Sequence, residues 1–257
     1  MSTFLGQHFL KNKSAIKKII AALNLRGGET VIEIGPGKGA LTFPILHECN
    51  RIGAKLIAIE KDRELAVELF KSEKDLKIEL GDALKILPTL TANLRNFKII
   101  GNIPYYITGK LLRTISELEN KPELTVLMIQ KEVAERACAG HGEMNLLSAA
   151  TQIWSEPEIL FSLSPEDFDP EPKVRSAVIR LNTRKNRPDK EESEKYYSII
   201  HVIFKQPRKT LYNNLRDGLE FPPESIKKTL EDLKIDLKSR PQNLSIDQIL
   251  ALSGKLS

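Results

Sequence analysis

The stretch TVIEIGPGKGA, Thr30 to Ala40, runs a short apolar strand into a glycine-rich turn and then into the start of a helix. Glycine lets the backbone reverse sharply and approach a neighbour closely, so strand–turn–helix is the local reading. Working outward, four more segments repeat the theme. Lys55–Glu60 precedes Arg63–Lys71, where Leu65, Leu69 and Phe70 fall at helical spacing; Leu76–Leu80, Phe97–Gly101 and Thr125–Ile129 follow. Short apolar strands alternating with helices predict a parallel sheet covered on both faces, an α/β architecture. Ahead of the sheet, Ser14–Leu23 reads as an amphipathic helix.

After Trp154 the pattern changes. Glu158–Leu163 and Val174–Leu181 read as strands joined by the proline- and acid-rich SPEDFDPEPK. Lacking a full helix between them, they predict an antiparallel pair at one edge of the sheet. Thr183–Lys190 is polar, charged and broken by proline, which marks a linker. Beyond it Glu194–Phe204, Thr210–Leu215, Ser225–Leu233 and Ser245–Leu252 read as helices. The expected division is a sheet domain over residues 1–184 and a small α-helical domain over 185–257.

The chain has 257 residues, 41% hydrophobic and 28% charged, ordinary values for a soluble globular protein. No apolar run approaches the ~20 residues needed to span a bilayer. MSTFLGQHFLKNKSAIKKII lacks the apolar core and cleavage site of a secretory signal. Cys49 and Cys138 form neither a metal spacing nor a disulfide framework, so a reduced, cytoplasmic setting is expected. The net charge is +5: residues 183–257 hold 15 Lys+Arg against 11 Asp+Glu, and residues 1–182 hold 24 against 23. A basic final third permits a polyanionic partner such as nucleic acid.

The glycine loop fits two ligand classes. Gly35, Gly37 and Ala40 satisfy G-x-G-x-x-G/A for dinucleotides, with Glu60 near the distance of a ribose contact. The same residues read as E-x-G-x-G-x-G, the loop used for S-adenosylmethionine, and the loop alone does not choose. Glu60 ends the second strand, where its carboxylate can accept ribose hydroxyls. Asp82, after the third strand, can accept from an adenine amino group. Ligands of open parallel sheets collect at the carboxyl ends of strands, so these acids read together as an adenosine cradle.

KIIGNIPYYITGK, Lys98 to Lys110, delivers Asn102-Ile103-Pro104-Tyr105 to the same edge. Taken alone it is a turn. Beside the cradle its composition acquires a chemical reason. An adenine amino nitrogen is a poor nucleophile because its lone pair is delocalised into the ring. The Asn102 side-chain carbonyl and the Ile103 backbone carbonyl, presented by the extended conformation before Pro104, can accept its two N–H bonds. Pyramidalising the nitrogen would aim its lone pair at a sulfonium methyl. Tyr105 offers a stacking face worth roughly 1–3 kcal/mol in nucleic-acid sites. No metal is required.

N-I-P-Y is similar to the (N/D/S)-P-P-Y motif of enzymes that methylate exocyclic amines of nucleobases. Gly6-Gln-His8-Phe-Leu10 resembles the G-Q-[N/H]-F-L segment of the rRNA adenine dimethyltransferase family. Phe168–Val178 resembles its F-x-P-x-P-K-V-x-S-A-V segment, and Phe204–Leu215 the F-x-Q-x-R-K-T-x-x-N-x-L helix of the small-subunit (KsgA) branch. Met144–Ser148 departs from the usual Y-G-x-L-S. The resemblance implies a Rossmann-like class I methyltransferase sheet and S-adenosylmethionine as methyl donor. By it, His8, Leu10, Gly35, Gly37, Glu60, Asp82 and Asn102 contact the donor. Asn102 to Tyr105 hold the amine, and Phe168 stacks on the adenine's other face. Tyr106 and Phe9 are expected to pack. Arg208 and Lys209 contact RNA. The implied reaction is N6,N6-dimethylation of two adjacent adenosines in a hairpin near the 3′ end of small-subunit rRNA. The substrate is an immature small ribosomal subunit, and the enzyme a monomer without membrane attachment. Competing readings are an Erm-type enzyme acting on large-subunit rRNA, a nicotinamide oxidoreductase, and a non-catalytic ribosome-assembly factor.

Overall fold

The computed structural model describes residues Gln7–Leu256; Gly6, the first residue of the G-Q-H-F-L segment, lies outside them. The described chain opens with β1 (Phe9–Leu10) and α1 (Lys13–Ala22). Asn12 starts α1 by accepting the Ser14 and Ala15 N–H groups on its side-chain oxygen. Five strand–helix units follow: β2 (Thr30–Ile34) with α2 (Thr42–Ile52), β3 (Lys55–Glu60) with α3 (Arg63–Ser72), and β4 (Lys77–Leu80) with α4 (Ala83–Thr91). The last two are β5 (Phe97–Asn102) with α5 (Thr108–Glu117) and β6 (Leu124–Gln130) with α6 (Lys131–Cys138). Next come α7 (Leu146–Gln152), β7 (Ser155–Leu163), the two-residue β8 (Phe168–Asp169) and β9 (Ser176–Thr183). Helices α8 (Lys190–Ile203), α9 (Leu211–Gly218), α10 (Pro223–Asp232) and α11 (Ile246–Lys255) complete the chain.

Seven strands form one sheet in the order β4-β3-β2-β5-β6-β9-β7. The first five are parallel, and β9 runs antiparallel to β6. Every residue of β2 is buried, and β5 and β6 are buried except at their last residue, as central strands covered on both faces must be. The two late strands take one edge, as expected, but the later one lies inside the earlier. SAVIRLNT is apolar enough to be an inner strand, whereas SEPEILFSL keeps half-exposed positions and suits the rim. The segment that departs from the family pattern starts α7, where Asn145 accepts the Leu147 and Ser148 N–H groups.

The chain divides into two compact units. One holds the residues up to Ala134 together with Glu156–Thr183, and therefore the sheet. The other joins Glu135–Ser155 to the chain from Arg184 onward. Inside that second unit the Tyr196 hydroxyl donates to the Ala149 carbonyl and packs α7 against α8. No helix among the described residues is long and apolar enough to cross a membrane.

Candidate active site

Strand register brings the acids and the N-I-P-Y turn together. Ile34 lies opposite Ile59 and Gly101, Glu60 opposite Leu80, and Asn102 opposite Met128. Chain order reverses between β2 and β5, the place where open α/β sheets leave a crevice. One cleft there is lined by His8, Leu10, Gly35, Gly37, Glu60, Asp82 and Asn102–Tyr105. Two glycines are required by space. A Cβ on Gly101 would lie 2.5 Å from the Ile34 carbonyl oxygen, blocking the approach of β5 to β2. At Gly37 φ is +58° and a Cβ would sit 2.8 Å from the Phe9 ring.

The hydrogen bonds of the loop bear on its two possible ligands. Gly35 N–H donates to the Ile59 carbonyl, Gly37 N–H to Glu60 Oε2 and Gly39 N–H to the Pro36 carbonyl. With all three donors engaged, the glycines do not form the open nest a pyrophosphate needs. Glu60 is buried, and its other oxygen accepts the Lys61 and Asp62 N–H groups at 2.8 Å each. A carboxylate has about four acceptor positions, so Glu60 retains capacity for roughly one strong bond from a ligand hydroxyl. Asp82 caps α4 through Leu84 N–H and meets Lys61 Nζ at 3.2 Å. Burial pushes its carboxyl up, but the Leu84 and Lys61 bonds outweigh this and hold it below the usual range.

At the tip of β5 the Asn102 amide donates to the His8 carbonyl at 2.6 Å. That bond turns Asn102 Oδ1 away, an acceptor with no donor among the described residues. The adjacent Ile103 carbonyl has no backbone donor among the described residues, while Ile103 N–H is fixed on the Met128 carbonyl. His8 is itself held in place: Nδ1 donates to the Pro170 carbonyl at 2.7 Å, and the ring stacks on Tyr105 at a centroid distance of 6.0 Å. The Tyr105 hydroxyl meets Ser176 Oγ at 2.8 Å. Burial raises the pKa of the Tyr105 hydroxyl and so disfavours its ionisation, with the Ser176 bond opposing.

Two expectations are corrected. Phe168 is 1% exposed, packed in the core cluster with Leu10, Val31 and Val178, and is absent from the cleft lining. Pairing of β8 with β1 turns this ring inward, so in this arrangement it presents no face to a base. Tyr106, expected to pack, is 62% exposed and lines the cleft. Phe9 is half-buried, with Lys38 Nζ 4.7 Å from its ring centroid.

Glu33 was not singled out as a contact residue. It lines the cleft, is 1% exposed, and its Oε2 has no hydrogen-bond partner among the described residues. Burial pushes its carboxyl up to about 8, with the Thr42 hydroxyl opposing and the Glu60 charge adding. The signal was available: an acid inside an otherwise buried, mostly apolar strand needs a reason. In the second unit Arg208 and Lys209 are exposed on the α8–α9 loop, with Lys209 Nζ 3.2 Å from Asp217. Buried Asn214 clamps that loop, donating to the Gln206 and Thr210 carbonyls and accepting the Gln206 N–H.

A family model described as ribosomal RNA adenine dimethylase matches residues 1–256. The ribosomal RNA small subunit methyltransferase A of Acidobacterium capsulatum is 36% identical over 256 residues, covering 96% of this chain and 88% of its own. The protein of the same name from Acinetobacter baylyi is 36% identical over 258 residues, 98% of this chain and 90% of its own. Among solved structures, a dimethyladenosine transferase from Plasmodium falciparum matches with a TM-score of 0.78 at 26% identity, over 95% of this chain and 96% of that one. The 23S rRNA methyltransferase ErmE shares the fold, with a TM-score of 0.73 at 24% identity over 96% and 99%. A family match of this extent, with relatives above one-third identity along nearly the whole chain, makes this protein a member of the ribosomal RNA adenine dimethylase family.

Proposed function

We propose that this chain transfers methyl groups from S-adenosylmethionine to N6 of adenines in small-subunit ribosomal RNA, two on each of two adjacent adenosines in a 3′-end hairpin. The observation that supports the site assignment is a pair of neighbouring acceptors at the tip of β5, Asn102 Oδ1 and the Ile103 carbonyl, neither engaged among the described residues. Two acceptors match the two N–H bonds of one exocyclic amine. Accepting both draws density onto the nitrogen and favours its pyramidal form, in which the lone pair is free to attack. Because His8 and Met128 hold the two groups from behind, little reorganisation accompanies the reaction.

S-adenosylmethionine, when bound, supplies a methyl group on a sulfonium centre. The cleft suits it on three counts. The glycine loop need not hold phosphate, Glu60 retains an acceptor position for a ribose hydroxyl, and Asp82 stands at the next strand tip. Buried Glu33 adds a carboxyl oxygen with no hydrogen bond among the described residues, suited to the donor's ammonium group. Tyr105 and the exposed Tyr106 offer faces for an adenine that has left its stack. Arg208 and Lys209 contact RNA phosphates. The working form is a cytoplasmic monomer acting on an immature small subunit.

The test is methyl transfer to small subunits lacking the modification, mapped by reverse transcription. N6,N6-dimethyladenosine cannot pair normally and stops extension, so adjacent stops near the 3′ end of the small-subunit RNA are expected. Stops confined to large-subunit RNA would replace the substrate, and absence of transfer would overturn the reading.

A further inference from the structure

Residues 1–28 contain Lys11, Lys13, Lys17, Lys18 and Arg26 and no acid; Glu29 is the first. The remaining 34 Lys+Arg of the chain are matched by its 34 Asp+Glu, so this opening stretch equals the whole net charge of +5. A solvated helix face ordinarily mixes both signs. Three of these cations, Lys11, Lys13 and Lys17, line one groove together with Lys38, whereas Lys18 lies over the Phe161 ring and Arg26 pairs with Glu29 and Glu123. The groove's rim carries Lys11, Lys13, Lys17 and Lys38. Its apolar lining includes Phe9, Ile16, Ile20 and Phe43. Asp169 is the acid that borders it, and Lys11 also feels Asp167. Lys13, Lys17 and Lys38 make no ion pair among the described residues. Phe9, Leu10, Lys38 and Ala40 line both this groove and the active-site cleft, which makes the two continuous.

We propose that the groove carries the RNA strand flanking the target adenosine, with phosphates on the lysines and an unpaired base over the Phe9–Phe43 floor. The inference rests on the rRNA methyltransferase reading above. Charge complementarity and continuity with the cleft select this occupant. A flipped adenosine leaves its neighbouring nucleotides unstacked, and such nucleotides bind where cations track the backbone and aromatics receive bases.

The test is the double substitution Lys13→Ala/Lys17→Ala, two exposed side chains outside the cleft. Affinity for the unmodified hairpin RNA is measured against salt, alongside S-adenosylmethionine affinity and transfer kinetics. Loss of two single-strand phosphate contacts should make the slope of log affinity against log salt shallower by about 1.4, with roughly tenfold weaker binding near physiological salt. KM for RNA should rise while kcat and cofactor affinity hold, and Lys13→Arg/Lys17→Arg should restore the slope. A slope equal to wild type overturns the groove. Because the slope reads binding, it decides this whether or not transfer occurs. Failure of the wild type to methylate small subunits lacking the modification would instead overturn the functional reading itself.

Discussion

Glu29 and Glu33 stand four residues apart around β2, both buried, yet the fold treats them in opposite ways. At the amino end of the strand, Glu29 accepts from Lys98 Nζ at 2.8 Å, from Arg26 Nε at 2.9 Å and from Arg26 N–H at 2.8 Å. Lys98 is 1% exposed and also donates to the Asn24 carbonyl. Burial pushes the Glu29 carboxyl up, but Lys98 and Arg26 more than offset this and hold it ionised. At the carboxyl end, Glu33 has one oxygen without a hydrogen bond among the described residues and a carboxyl raised to about 8. One end of the sheet is electrostatically closed. The other keeps polar capacity for a ligand to complete.

The comparison can be broken at its closed end first. Lys98→Met leaves Glu29 buried without its main partner and should cost about 3–5 kcal/mol in thermal or denaturant unfolding. Turnover per folded molecule should be unchanged, and adding Glu29→Gln should recover much of the loss. At the open end, Asn102→Ala removes an acceptor for the amine and should lower kcat by about 10²–10³-fold, by analogy with loss of one preorganised catalytic hydrogen bond. RNA binding should persist, and wild-type turnover would refute the geometry.

Glu33 gives a smaller, pH-dependent effect. Its folded carboxyl holds a proton more tightly than the unfolded one, so the cofactor-free protein loses stability as pH rises from about 5 towards 8. The fall should be on the order of 2 kcal/mol, allowing for water entry from the cleft, and Glu33→Gln should flatten it. The same variant should weaken S-adenosylmethionine binding, measured by calorimetry. Least costly is Tyr106→Ala: about 1 kcal/mol, or roughly fivefold in kcat/KM for RNA, with an unchanged melting temperature.

Much of this fold could be read from the chain. Strands at Thr30–Ile34 and Lys55–Glu60 match their expected limits, since continuous apolar runs bounded by turns have little alternative in a covered sheet. The expected acids and the N-I-P-Y turn do share one edge. Periodicity identifies a buried face but not the neighbour that buries it. Hence the insertion of β9 between β6 and β7, and the grouping of Glu135–Ser155 with the later helices, escaped the pattern. Phe168 and Tyr106 failed for the same reason. An aromatic ring in a loop segment goes inward or outward according to pairing such as β1 with β8, which no local signal specifies.

Residue type and order were enough to establish a parallel α/β sheet, a glycine loop ready for a nucleoside ligand, and a turn bearing two carbonyl acceptors. Those properties are local: they follow from backbone sterics, strand periodicity and functional groups within a few residues of one another. Contacts between residues distant in the chain settled the rest. They engaged the loop N–H groups, turned the Asn102 amide onto His8, 94 residues away, and left Glu33 Oε2 without a hydrogen-bond partner among the described residues. Which polar atoms remain open to a ligand depends on which others the folded chain has already satisfied, and that is known only once the strands lie side by side.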